Sequence, residues 1–265
     1  MEFIKILWKN RKLTWQLGRN DFRNRFANTS LGAIWGFIQP FVFMVTYAIV
    51  FQFILKTGSS NGAPYAVWFI PGMSAWMTLN DSIMQSSNSI RMYSYLVKKV
   101  VFPVDTIPII SIISTSFTGI FLFIIAIGIS LVYKIVPNFL VLIYGIIAMY
   151  VFIISFTRLT SAICTLVPDF GQLLTVFMQL FMWFTPIIWN ITMVSGHNII
   201  STVVKCMPFT YIVQTIRSAF LPNEGYLMGD NNWIYTVVFW GITLIIFIWG
   251  NATFKRNKKD FADVL

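Results

Sequence analysis

From Ala33 to Leu55 the chain runs without a single charged residue, and it does so again over Ile107 to Tyr133, Phe139 to Thr157, Leu173 to Trp189 and Trp233 to Phe254. A helix that crosses a bilayer needs about 20 mainly apolar residues, so these five windows constrain the fold more than anything else in the sequence. A soluble domain of 265 residues would carry roughly a quarter of its residues as charges. Here 11% are charged and 57% apolar, and the mean hydropathy is +0.73. Because hydrocarbon offers the backbone no hydrogen-bond partners, the expected class is an all-α integral membrane protein.

A sixth window, Tyr65 to about Gln85, is interrupted by Pro71, Asn80 and Asp81, and the Phe139 window continues past Arg158 to Leu166. Counting both, the expected spans are about 33–55, 65–85, 106–133, 139–166, 173–190 and 232–254, with a tail at 255–265. Charge placement tests this parity. Fifteen of the 19 lysines and arginines fall on one side if six spans are counted: those from Lys5 to Arg25, then Arg91, Lys98, Lys99 and Arg158, and those from Lys255 to Lys259. Lys56, Lys134, Lys205 and Arg217 fall on the other. Basic residues gather on the cytoplasmic side, so both termini are expected in the cytoplasm. The net charge of +10 thus reports orientation rather than nucleic-acid binding.

Residues 1–30 form a separate expected unit. From Phe3 to Phe26, apolar residues recur among lysines and arginines at helical spacing, the pattern of an amphipathic helix lying on a membrane surface near anionic lipid. This start lacks the apolar core of a secretory signal and reads as part of the mature chain. Asn28, Thr29 or Ser30 is positioned to cap the next helix. Between the last two spans, Ile199 to Met207 and Phe209 to Leu221 are apolar but too short to cross, split by Pro208 and closed by Pro222. They read as two short re-entrant helices on the outer side.

Catalytic and nucleotide-binding signatures are missing. There is no GxxxxGK[ST] or HExxH, and the one histidine, His197, falls in the outer loop. Cys164 and Cys206 show no metal or disulfide spacing and read as small buried residues. Charges inside a membrane default to functional candidates; these are Asp81, Asp105 and Arg158, with Asp105 close enough to Lys98 and Lys99 to be interfacial. Aromatic residues make up 17% of the chain, and many lie within spans rather than at their ends. They face lipid, or they line a path on which ring faces meet the C–H faces of sugars.

Five stretches, in order along almost the whole chain, carry a family resemblance: SLGAIWGFIQP, SNSIRMYSYLVKKVVFP, FTPIIWN, MPFTYIVQTIRSAF and the terminal DFADVL. They resemble the permease subunit of ABC-2 type exporters of lipid-linked polysaccharides, a family that includes O-antigen, capsule and teichoic-acid export permeases. The resemblance implies a six-span ABC-2 fold over 31–265 in a bacterial cytoplasmic membrane. It further implies a homodimer served by two copies of a separate ATPase, which binds ATP and magnesium while this chain holds no cofactor. The substrate would be an undecaprenyl-pyrophosphate-linked glycan. On this footing Arg23, Arg25, Lys98 and Lys99 are candidates for the lipid pyrophosphate, and Arg91, Tyr95, Lys98 and Lys99 for coupling to the ATPase. Tyr47, Trp76, Phe181 and Trp183 are candidates for the glycan path, and Pro208, Tyr211 and Arg217 for an outer gate.

The chain departs from the family pattern at VPDFGQ, where Pro168 precedes Asp169 in place of a common Arg-Asp pair, and at Asp81, where an uncharged residue is expected. Two other readings stay open: an ABC-2 permease for a drug or small lipid, and a membrane-embedded polyprenyl-sugar transferase. The latter should show clustered acids or histidines near one face, which the sequence lacks.

Overall fold

The computed structural model describes residues 2–27, 29–54, 64–99, 102–194, 198–222 and 232–265. Among them the structure is helical, with no strand. Helices α1 (Glu2–Lys9) and α2 (Arg11–Arg25) precede α3 (Trp35–Ile49), which widens into a π-turn over Val50–Ile54. Then come α4 (Tyr65–Met92), α5 (Ser94–Lys99), α6 (Ile107–Val132), α7 (Phe139–Leu166) and α8 (Phe170–Phe184). The bent pair α9 (Asn198–Cys206) and α10 (Pro208–Phe220), then α11 (Asn232–Asn257) and α12 (Phe261–Val264), complete the chain.

Among the described residues four helical stretches are each long and apolar enough to cross a membrane: Gly32–Ile54, Val104–Val132, Phe139–Leu166 and Trp233–Asn257. The other two expected spans fall short for different reasons. Helix α8 is apolar but has 15 residues, about 22 Å against roughly 30 Å of hydrocarbon. Its apolar window runs on to Trp189, but Pro186 pushes Thr185 out of the helical region and the chain turns there, Ile187 N donating to Thr185 O. Helix α4 has 28 residues and runs well beyond Gln85, yet it is too polar to score as a span.

That polarity follows from where α4 sits. It is the central helix, buried from Tyr65 through Trp76 and along one face to Ile90. Its buried hydroxyls are satisfied within the helix, as Ser74 Oγ to Ile70 O at 2.8 Å and Thr78 Oγ1 to Ser74 O at 2.7 Å. Others bond to neighbours, Ser82 with Thr115 of α6 at 2.8 Å and Ser87 with Thr160 of α7 at 2.6 Å. A helix walled in by protein need not be apolar, provided its polar groups find partners. Gly119 lets α6 press against it: a Cβ there would lie 2.5 Å from Thr78 Cγ2.

One end of the bundle collects both ends of the chain. Phe3 of α1 lies over the Arg158 guanidinium of α7 at 3.9 Å, Lys258 beyond α11 bonds Asp105 before α6, and Tyr93 after α4 donates to Asp21 of α2. Phe254 meets Phe261 edge-on at 5.4 Å. Starting from that end, α3, α4, α6, α7, α8 and α11 alternate in direction. The N-terminal segment is two helices rather than one. The break falls at Asn10, whose φ of −101° and ψ of 13° leave the helical region, while its side-chain Nδ2 donates to Ile6 O at 2.9 Å and Thr14 Oγ1 donates to Asn10 O at 3.0 Å. Phe22 of α2 packs on Phe117 of α6 at 5.4 Å while Arg11, Lys12, Arg19 and Arg23 stay exposed. The expected cap does not form: Thr29 donates to Phe26 O and Gly32 O, and the helical stretch begins after Leu31 without side-chain help. Asn28 and His197 lie outside the described residues.

At the other end, α9 and α10 meet at Pro208 with a bend of 78°. Proline suits the first turn of a helix, where its missing N–H costs nothing. Phe209 sits among Trp76, Phe152 and Phe181, near the middle of α4 and α7, whereas Ala219 O accepts from Asn138 N where α7 begins. Helix α10 therefore runs from mid-bundle to the end where α7 begins.

Candidate functional site

Three groupings of side chains carry the candidate residues. The first is a cavity of about 410 Å³ beneath α2, lined by Arg25, Gln39, Asp81, Gln85 and Thr118 among others. Arg25 Nη2 donates to Asp21 at 3.0 Å and to Ser114 Oγ at 3.1 Å. Arg25 thus meets two acids, Asp21 by direct pairing and Asp81 across the cavity. Of the other cations expected to hold a diphosphate, Arg23 and Lys98 are exposed and line no part of this cavity, and the Lys99 side chain lies outside the described ones.

The second grouping is the α4–α5 corner. Arg91, Tyr95 and Lys98 are all exposed, while Val97 packs inward against the cluster formed by Ile90, Phe254 and Phe261. Tyr93 moors the corner to α2 through its bond to Asp21. Burial pushes its phenol pKa up, and the hydrogen bond and charge of Asp21 push it further, so the hydroxyl keeps its proton and remains the donor.

The third grouping is aromatic. Tyr47 of α3 belongs to a column with Phe43 at 4.5 Å and Phe51 and Phe69 at 6.2 Å. Phe181 stacks on Phe209 at 4.7 Å, and Trp76 meets the same ring edge-on at 5.9 Å. Trp76 is 3% exposed and Trp183 is 66% exposed, so Trp76 and Phe181 gather on Phe209, Tyr47 stands half-buried in its own column, and Trp183 is open. Pro208 forms the turn below them.

Tyr211 and Arg217 lock α10 in place. The Tyr211 hydroxyl bonds Tyr144 of α7 at 2.8 Å and Thr236 of α11 at 3.1 Å. Arg217, fully buried, donates from Nε to Trp68 O at 3.0 Å, from Nη1 to Pro186 O at 2.9 Å and from Nη2 to Ile187 O at 3.1 Å, and lies over the Trp68 ring at 3.8 Å. Gly72 makes the room, since a Cβ there would be 2.7 Å from Nη2. One side chain thereby joins α10, α4 and the turn after α8.

Sequence reasoning singled out Asp105 and Arg158 but did not join them. The structure does: Arg158 Nη2 donates to Asp105 Oδ1 at 2.9 Å and to Asn251 Oδ1 at 3.0 Å, and Lys258 takes the other carboxylate oxygen. Each charge sits in apolar surroundings, the signal that it needs a partner; the partner lies 53 residues away. Among the described residues no group of three or more His, Cys, Asp or Glu side chains could hold a metal ion.

A sequence model of ABC-2 type transporters matches residues 12–221. Among individual proteins, the O-antigen export system permease protein RfbA of Klebsiella pneumoniae is 22% identical over 249 residues, covering 92% of each chain. The protein of the same name from Myxococcus xanthus is 19% identical over 274 residues, covering 99% of each.

Proposed function

The chain belongs to the ABC-2 type transporter family, and from that premise we propose that it is the permease of an exporter of undecaprenyl-pyrophosphate-linked polysaccharide. The polymer is of the O-antigen, capsule or teichoic-acid kind, and it crosses the bacterial cytoplasmic membrane from the inner face. The observation that carries this reading is the end-to-end likeness to O-antigen export permeases. The bundle supports it. Six helices alternate in direction and return both termini to one end, which agrees with the distribution of basic charge. Here α4 and α8 count as the second and fifth spans, and α9–α10 as a re-entrant hairpin on the outer side.

A hydrophilic polymer cannot pass through hydrocarbon, where each unsatisfied polar group costs several kcal/mol, so the route is enclosed by protein. The uncovered apolar faces of α3 and α8, with Phe41, Phe43, Phe177 and Trp183 exposed, fit a second copy of this chain. Tyr47 and Trp183 then offer ring faces to the glycan, while Trp76 and Phe181 support Phe209 behind them. Pro208, Tyr211 and Arg217 set the position of the outer hairpin. Arg91, Tyr95, Lys98 and Lys99 meet a separate ATPase that holds ATP and magnesium, one ATPase per copy. Arg23 and Arg25, with the two lysines, attract the diphosphate at the inner face, Arg by bidentate contacts and Lys as a point charge.

The test is cellular. Cells lacking this chain should accumulate the lipid-linked glycan where an impermeant glycosidase added to intact spheroplasts cannot reach it, and the wild-type chain should restore access. Glycan reaching the outer face at the normal rate without the chain would refute the proposal.

A further inference from the structure

The Asp105, Arg158 and Lys258 cluster forms one wall of a cavity of about 420 Å³ that Phe3, Asn251 and Lys255 also line. Both oxygens of Asp105 are engaged, one by Arg158 and one by Lys258. With Lys255, the lining holds three cations and one anion. Arg158 is 3% exposed, and its Nε and Nη1 have no hydrogen-bond partner. A buried donor left in that condition is costly, and more so on a charged group. Phe3, whose ring covers this guanidinium, also lines a second cleft of about 330 Å³ between α7 and α11. That cleft is apolar, walled by Val151, Ile154, Trp240, Leu244 and Phe247. A cationic cavity and an apolar cleft thus meet at one ring. They do so where α11 changes from Ile248 and Trp249 to Lys255 and Arg256, the level of a headgroup layer on a spanning helix.

We propose that this crevice binds one anionic glycerophospholipid of the surrounding bilayer. Its phosphate lies among Lys255, Lys258 and Arg158, and one acyl chain lies in the cleft between α7 and α11. Basic pockets between helices on the cytoplasmic side favour anionic headgroups, and Arg158 supplies in-plane donors suited to phosphate oxygens. Assigning a resident lipid rather than the transported one rests on the proposed passage, because the crevice is built from α1, α7, α11 and the start of α6 and uses neither the exposed face of α3 nor that of α8. The bound lipid would tie α1, through Phe3, to the bundle.

Native mass spectrometry of the purified full chain tests this, with phosphatidylglycerol, phosphatidylcholine and undecaprenyl pyrophosphate each added in turn. Phosphatidylglycerol should bind one per chain, at least about fivefold tighter than phosphatidylcholine. The double variant Lys255→Gln/Lys258→Gln should lose that preference. Leu244→Trp, which fills the cleft without touching a charge, should lower occupancy to a similar extent, and Lys12→Gln on the exposed face of α2 should not. Equal binding of the two phospholipids, or unchanged phosphatidylglycerol binding in both crevice variants, would overturn the proposal. So would undecaprenyl pyrophosphate displacing phosphatidylglycerol from the wild type while failing to bind the double variant, which would give the crevice to the transported lipid. A failure of the transport reading would leave the phospholipid preference untouched.

Discussion

Helices α3 and α4 pack against each other and are built on opposite terms. Helix α3 is apolar enough to be found by hydropathy alone, yet within Gly32–Ile54 only 17% of the most apolar window is buried. Helix α4 is too polar to score, yet it is enclosed along most of its length. Hydropathy therefore marks surface that faces lipid or another chain, while the structural spine of the bundle hides behind hydroxyls that bond their own carbonyls or a neighbour's. Substitutions should separate the two helices: changes on α4 should cost stability, and changes on α3 should cost transport.

The largest effect is expected at Arg217, which anchors the outer end of α4. Arg217→Met removes its bonds to Trp68, Pro186 and Ile187 and strands buried carbonyls, a loss of about 3 kcal/mol or more. That corresponds to a fall of about 6–12 °C in the detergent melting temperature. Next comes Gly119→Leu, which overpacks the α4–α6 contact and should cost about 1–3 kcal/mol; an unchanged melting curve would remove α4 from the centre of the account. Tyr93→Phe deletes the tie to Asp21 and should cost about 1 kcal/mol, together with looser protease protection at the inner end. On α3, Phe43→Ala should change stability by less than about 0.5 kcal/mol and still reduce export. If it destabilises the chain as much as Gly119→Leu does, the contrast between the helices fails. Smallest in stability is Lys98→Glu with Lys99→Glu, expected to leave insertion and melting unchanged while export falls, as scored by surface glycan.

The sequence disclosed its apolar windows, the bend at Pro208 and the amphipathic start, because each is a local pattern of spacing or a proline. It disclosed less where distance along the chain matters. The family resemblance marks Arg217 only as an outer-gate candidate, and nothing local says that three carbonyls from two other elements will surround it. Asp105, Arg158 and Lys258 are separately visible as charges, but their meeting spans 153 residues from Asp105 to Lys258. The shortness of α8 was legible in Pro186, a residue that interrupts a window without interrupting its hydropathy.

We propose above that a separate motor drives this chain to move a lipid-linked polymer. The direct measurement is ATP hydrolysis by the chain and its partner ATPase in proteoliposomes, with and without undecaprenyl-pyrophosphate-linked glycan. The lipid-linked glycan should raise hydrolysis several-fold, with free glycan leaving it unchanged and Phe43→Ala blunting the rise. Hydrolysis indifferent to the lipid-linked glycan, or glycan crossing the bilayer with this chain alone and no nucleotide, would contradict it.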